Sequence, residues 1–275
     1  MENRDKGYRE RIRDWFDPCF YERFVGFCDR IGVPNWFFDS VKVEGLESVV
    51  EVKNKQLFYV SNHVSMADFL MQTYVFWKHK LPRPRFIAGE NLNYFPLKHV
   101  WKKCGAISVD RKERDRDYWQ VFQEEVKRCL REGKSLLDYP EGGRNYEGKG
   151  LKKFKTGIFG FVADIVKNGQ EIWGVPIKSS YDRRVEEEVL DSVAKHKEKR
   201  DMHRRNGNPL RAKIHDLAYY HLDFFLAYPK RFFEKNKGNC YLEFGEPFPI
   251  RDYLETREGR DKVELAKKFR EELER

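Results

Sequence analysis

Residues 56–79 read QLFYVSNHVSMADFLMQTYVFWKH. The first six are rich in β-formers around the apolar core Leu57–Val60, the length of a buried strand, and from Met66 onward the apolar spacing becomes that of a helix. A strand that turns sharply into a helix is one half of a βα repeat, and the alternation continues along the chain. Further strands are expected at 41–44, 84–89, 105–109, 135–139, 172–177 and 240–245, with helices at 94–103, 114–132 and 154–168. Gly133 and Gly169 follow the last two helices as C-terminal stops. This pattern predicts an α/β fold, a mostly parallel or mixed β-sheet flanked by helices. Sites in such sheets lie beyond the carboxyl ends of the strands.

Working outward, residues 7–38 have helical spacing, with Tyr8, Ile12, Trp15 and Phe16 on one face, a break at Pro18, and Phe20, Phe24, Phe27 and Ile31 beyond it. Arg9, Arg11, Arg13, Arg23 and Arg30 fill much of the remainder. Two readings stay open: an amphipathic helix lying in a membrane interface, or a helix packed against the main body. The expected division is an N-terminal amphipathic region at 1–39 and one domain over 40–275, with a charged and aromatic insertion at about 183–238. That insertion passes from a charged run at Arg183–Arg205 through a turn at 206–209 to Tyr219, Tyr220, Phe224, Phe225, Tyr228, Phe232 and Phe233. With Lys230, Arg231, Lys235 and Lys237, its aromatic end is suited to lipid contact or to a packed helical hairpin. Residues 259–275 read as a charged helix.

The chain carries 54 Lys and Arg against 45 Asp and Glu, a net charge of +9, which implies an anionic partner. Cys19, Cys28, Cys104, Cys129 and Cys240 are scattered and form no metal-binding signature, so a reduced, cytosolic setting and no metal are expected. The charged N-terminus has no apolar core of a secretory signal. No run approaches the roughly 20 uncharged residues of a membrane span, so membrane contact is expected only at a surface. A Gly-x-Ser-x-Gly elbow and an HExxH zinc motif are both missing, and Arg128 stands where a phosphate loop ending in Gly133-Lys134-Ser135 needs a glycine.

The chemistry gathers in two stretches that follow expected strands. In Asn62-His63-Val64-Ser65-Met66-Ala67-Asp68 the histidine and aspartate are five positions apart, which on one regular helix separates them by about 140°. The pair meets only if His63 lies before the helix. Ser65 and Asp68 fit a capping box, Ser65 as N-cap and Asp68 three places in, from which its carboxylate can reach back to one ring nitrogen of His63. That contact fixes the tautomer and raises the basicity of the other nitrogen, which makes an oriented general base. A bland reading, Asp68 as a cap and His63 as a loop residue, stands beside it. In Tyr139-Pro140-Glu141-Gly142-Gly143-Arg144 two glycines permit positive φ and close backbone approach, and an arginine fork can hold an anion. Gly148 and Gly150 extend this loop, and Lys153 and Lys155 are further anion candidates. Its bland counterpart is a plain turn with a solvated arginine.

The ordered series NHVSMAD, GAISVDR (105–111), YPEGGR and Val175-Pro176-Ile177 resembles the four motifs of the glycerolipid acyltransferase family, which contains glycerol-3-phosphate and lysophosphatidic acid acyltransferases. The resemblance covers roughly residues 55–180. It implies His63 as general base, Asp68 as its orienting partner, and Arg111, Glu141, Gly142, Gly143 and Arg144 around the acceptor phosphate. It also implies no cofactor, with acyl-CoA or an acyl carrier protein as co-substrate and a glycerolipid acceptor; no nucleic acid is expected, and the N-terminal helices are expected to place the chain peripherally on the cytosolic membrane face. The expected reaction is acylation of 1-acyl-sn-glycerol-3-phosphate to phosphatidic acid. Glycerol-3-phosphate 1-O-acylation is the alternative, because the GGR core and the Ser180-Tyr181-Asp182 continuation are similar to glycerol-3-phosphate enzymes. A non-catalytic basic membrane-binding module is the reading from another class.

Overall fold

The computed structural model describes residues 2–89, 97–110, 112–145, 151–187, 198–203, 205–208, 210–211, 231–254 and 260–275. Its centre is an eight-stranded sheet. The strands are β1 (Ser40–Glu44), β2 (Gln56–Ser61), β3 (Arg85–Gly89), β4 (Ala106–Val109), β5 (Leu136–Asp138), β6 (Ile172–Tyr181), β7 (Asn239–Phe244) and β8 (Phe248–Pro249). Their order is β1-β7-β6-β2-β5-β3-β4, with β8 alongside β6. β6, β2, β5, β3 and β4 run parallel, whereas β7 and β8 are antiparallel to β6, so the sheet is mixed as expected.

β2 is central because both of its faces are apolar. Phe58 and Val60 enter the core on one side, Leu57 and Tyr59 the core on the other, and all four are fully buried. A strand buried on both faces needs a continuous apolar run, which is what Leu57, Phe58, Tyr59 and Val60 supply. Phe58 sits edge-on between Phe159 and Phe269, with ring centroids 5.5 Å from each. The helices are α1 (Glu2–Ile12), α2 (Pro18–Arg30), α3 (Val33–Phe37), α4 (Leu46–Glu51), α5 (Asp68–Lys78), α6 (Leu97–Lys103), α7 (Arg116–Arg131), α8 (Gly157–Lys167) and the C-terminal α9 (Asp261–Glu274). α5 covers one face, and α7, α8 and α9 cover the other.

Local chemistry sets the element ends. Asp115 caps α7 by accepting from the Asp117 N–H, and Gly133 takes φ +74° just past its C-terminus. Pro18 ends the first helical run by opening the next, since its missing N–H is harmless at the first turn, where Asp17 accepts from Phe20 at 3.0 Å.

The N-terminal helices are docked on the main body. Ile12 is fully buried in the core beside α7, the Tyr8 ring meets Tyr118 edge-on at 5.4 Å, and the Tyr8 hydroxyl donates to Asp115 at 2.8 Å. Tyr21 and Val25 of α2 form a small separate core with Cys104, flanked by Phe16, Phe20, Phe24 and Trp77. Phe27 of α2 and Phe233 remain exposed. Most of the expected aromatic insertion, including Tyr219, Tyr220, Phe224, Phe225, Tyr228 and Lys230, lies outside the described residues. Among the described residues no helix is long and apolar enough to cross a membrane.

Candidate active site

β2 and β5 are hydrogen-bonded parallel neighbours, so their carboxyl ends open side by side and deliver His63 and the 139–145 loop to the same edge. His63 lies in the turn between β2 and α5, and its Nδ1 is 2.8 Å from Asp68 Oδ2. The same oxygen accepts the N–H groups of Val64 at 2.8 Å and Ser65 at 3.0 Å, and the Tyr181 hydroxyl donates to Asp68 Oδ1 at 2.6 Å. Asp68 is fully buried, and a buried carboxylate is tolerable only with donors such as these. Carboxylate contact at Nδ1 turns Nε2 outward. His63 keeps 24% of its side-chain exposure, and its Nε2 has no hydrogen bond to a described residue.

The cap differs from the expected box. α5 starts at Asp68 with Ala67 as its N-cap, not with Ser65. The Ser65 hydroxyl accepts from Ala67 N–H at 3.1 Å and donates to Glu186 at 2.8 Å, so residues 66–67 form a turn ahead of the helix. Asp68 still reaches back to Ser65 N–H, and that half of the box holds His63.

Tyr139 links the two loops. Its ring lies against His63 at 4.7 Å, and its hydroxyl donates to Gln72 at 2.8 Å, which in turn donates to Ser61 and Ser179. Burial first, then the nearby Asp68, pushes the Tyr139 and Tyr181 hydroxyls well above their usual range, so both stay protonated as donors. Glu141 has both carboxylate oxygens on backbone, Oε1 on His63 N–H at 3.1 Å and Oε2 on Lys152 N–H at 3.0 Å. It therefore ties the histidine turn to the far side of the glycine loop. The His63 carbonyl accepts from Asn145 N–H at 2.6 Å and closes the same joint.

Only one of the two glycines uses its freedom. Gly142 has φ +67°, whereas Gly143 does not adopt a positive φ, and a Cβ there would meet nothing within 4 Å. A Cβ on Gly142 would come within 2.4 Å of Lys155 Nζ, which places the Lys155 ammonium over this backbone. Gly142 N–H donates to Tyr139 carbonyl at 2.9 Å and is thus committed to the turn. The Gly143 N–H has no partner among the described residues. Lys153 is exposed, and Arg111, Gly148 and Gly150 lie outside the described residues. The Asp110 N–H, just before Arg111, is anchored by the Tyr118 hydroxyl at 2.7 Å.

Arg144 Nη1 stands 3.4 Å from Glu186 Oε1. Glu186 is a buried glutamate that also accepts from Ser65 Oγ at 2.8 Å and Met66 N–H at 2.9 Å. One carboxylate thus binds the arginine and the histidine turn together. Glu186 and Tyr181 are absent from the expected site, because Glu186 reads as part of the charged run from Arg183 and Tyr181 lies past the expected strand end at 177. A cleft of about 540 Å³ opens beside these loops, lined among others by Asn62, Val64, Glu141, Asn145 and Lys178. A larger groove of about 1080 Å³, between α1 and α7, holds none of the motif residues. The described residues contain no cluster of metal-ligating side chains.

This fold is that of a solved acyltransferase. The crystal structure of the 1-acyl-sn-glycerophosphate (LPA) acyltransferase PlsC from Thermotoga maritima superimposes with a TM-score of 0.51 at 17% identity, covering 92% of this chain and 78% of that one, a likeness of fold alone. The chain belongs to the acyltransferase family, whose description, Acyltransferase, matches residues 40–179. It is 27% identical over 245 residues to a glycerol-3-phosphate acyltransferase of Alteromonas mediterranea, covering 86% of this chain and 27% of that protein. A glycerol-3-phosphate acyltransferase of Actinobacillus pleuropneumoniae is 26% identical over 225 residues, 80% of this chain and 25% of its own length. The chain thus spans about a quarter of the length of these relatives.

Proposed function

We propose that the chain transfers a fatty acyl group from an acyl thioester, acyl-CoA or acyl carrier protein, to a hydroxyl of a phosphate-bearing glycerolipid acceptor in phospholipid synthesis. The observation that carries this reading is His63 Nδ1 held 2.8 Å from buried Asp68 while Nε2 has no hydrogen bond to a described residue, with Arg144 joined to the same turn through Glu186. In this reading Nε2 takes the acceptor hydroxyl proton as its oxygen attacks the thioester carbonyl. The tetrahedral intermediate then expels the thiolate, which recovers the proton from His63. Arg144, with Lys155 beside Gly142, receives the acceptor phosphate, and the Gly143 N–H is the donor we assign to the developing oxyanion. No cofactor or metal enters these steps.

Two acceptors fit. The GGR core and the names of the relatives favour glycerol-3-phosphate, whereas the GAISVDR motif favours 1-acyl-sn-glycerol-3-phosphate. The net charge of +9 and the exposed Phe27 and Phe233 support residence on an anionic membrane surface, and both donors are acidic.

Thiol release from palmitoyl-CoA, with each acceptor offered separately, tests the reading. Release should require an acceptor, and the acceptor that supports it assigns the reaction. His63→Ala should abolish release while leaving acceptor binding intact, and lost binding with unchanged chemistry would remove His63 as the base. Arg144→Ala should raise the acceptor KM about tenfold or more, as expected for one charge-assisted contact, and an unchanged KM would remove Arg144 from the phosphate site.

A further inference from the structure

A general base held by an aspartate needs that aspartate to be ionised, immobile and correctly turned. Asp68 is fully buried, and its Oδ2 is filled by the His63 ring and two backbone N–H groups. The Tyr181 hydroxyl is the donor seen on Oδ1, at 2.6 Å. The ring that carries this hydroxyl is itself fixed, stacked on Phe38 with centroids 5.2 Å apart. Tyr181 also ends β6, where it pairs in register with Cys240 of β7, so its reach to Asp68 is set by the sheet and not by a loop.

We propose that Tyr181 is a positioning residue for the reaction, acting through Asp68 to set the orientation and basicity of His63 in a Tyr181–Asp68–His63 chain. The proposal rests on the general-base role assigned to His63. Its physical content is a division of the carboxylate's charge. With a hydrogen bond on Oδ1, part of the negative charge is held away from His63, and without it more charge falls on Oδ2 and stabilises the imidazolium. Removing the hydroxyl therefore raises the proton affinity of His63.

Other titratable groups face this chain, and two of them, the Cys240 thiol, which Tyr181 hydrogen-bonds, and Glu186, interact with the Tyr181 hydroxyl itself. Tyr139 lies against the His63 ring and is influenced by Asp68 and Asp138, Glu141 bonds the His63 N–H, and the buried Cys240 thiol feels Asp68. Glu186 holds Ser65, Met66 and Arg144 on the adjoining side.

Tyr181→Phe deletes one oxygen and keeps the ring. The protonation midpoint of His63 is read by NMR of the histidine ring nuclei in wild type and variant, with the resonance assigned by its loss in His63→Ala. It should rise by about half a unit, a roughly threefold gain in proton affinity. The acid limb of the kcat/KM profile should move up by the same amount. A hydroxyl that merely supports the fold would lower the melting temperature and leave the midpoint in place, and an unmoved or lowered midpoint overturns the proposal. The NMR reading requires no turnover, so a shifted midpoint in a protein that releases no thiol would overturn the acyl-transfer reading while leaving the Tyr181 coupling in place.

Discussion

At the scale of single residues the site is built from short polar contacts whose legibility depends on sequence distance. His63 and Asp68 are five positions apart, so turn and helix geometry alone limit how they can meet, and the expected contact is present at 2.8 Å. Glu186 is 120 positions from Met66, and no periodicity or cap signals that contact, because it depends on where β6 ends relative to β2. The two glycines of YPEGGR look equivalent as letters and differ in the fold. Gly142→Ala would force a side chain into φ +67°, costing about 1 kcal/mol, and would push away the Lys155 ammonium. The expected outcome is a melting temperature lower by about 2–4 °C together with an acceptor KM raised several-fold. Gly143→Ala should alter both very little, since its Cβ meets open space. Equal effects at the two positions in parallel melting and KM measurements would count against the placing of Lys155.

At the scale of elements, all seven expected strands form within a residue or two except β6, which runs on to Tyr181 instead of ending near 177. That extension pairs with β7 and carries Ser179 and Tyr181 into the site, and it is illegible in sequence because its polar residues are stabilised by a distant strand. The N-terminal helices show a similar limit. Amphipathic spacing fits membrane and packed readings equally, whereas the docking uses an ion pair beside the buried Ile12 and Tyr21 contacts. Asp14 Oδ2 lies 2.7 Å from Arg85 Nε and 3.1 Å from Lys134, and the Arg85 guanidinium stacks 3.9 Å from the Phe16 ring centroid. Burial raises the Asp14 carboxyl, but the Arg85 charge and the hydrogen bonds outweigh it, so its pKa falls below the usual 3.8. A depressed carboxyl stabilises the fold fully above its unfolded value and loses that contribution as pH falls through the folded one. The wild type should therefore lose part of its stability on acidification below about 3.8. Asp14→Asn should remove that portion of the acid dependence and cost about 3 kcal/mol at neutral pH by leaving Arg85 buried without its partner. Denaturant titrations across pH would contradict this if the variant kept the full acid slope.

At the scale of the whole molecule, the proposed acyl transfer and the exposed aromatics pose one question: how this sheet domain would meet a lipid. The chain has a net charge of +9, and Phe27 and Phe233 are 59% and 81% exposed, large rings of the kind that insert at a lipid interface. Nearby sequence carries basic residues, Arg23 and Arg30 on α2 and Lys235 and Lys237 after Phe233, alongside the acidic Glu22, Asp29 and Glu234. An anionic lipid surface would satisfy both features, through apolar insertion and through Coulomb attraction. The protein should therefore co-sediment with vesicles containing phosphatidylglycerol, bind neutral phosphatidylcholine vesicles far less, and be released in large part at about 1 M salt, where the screening length is ~3 Å. Phe27→Ser and Phe233→Ser should each weaken vesicle binding severalfold while leaving thiol release with water-soluble glycerol-3-phosphate unchanged, because neither ring belongs to the site. Salt-insensitive binding would remove the electrostatic part of this account, and full binding by both variants would remove the aromatic part.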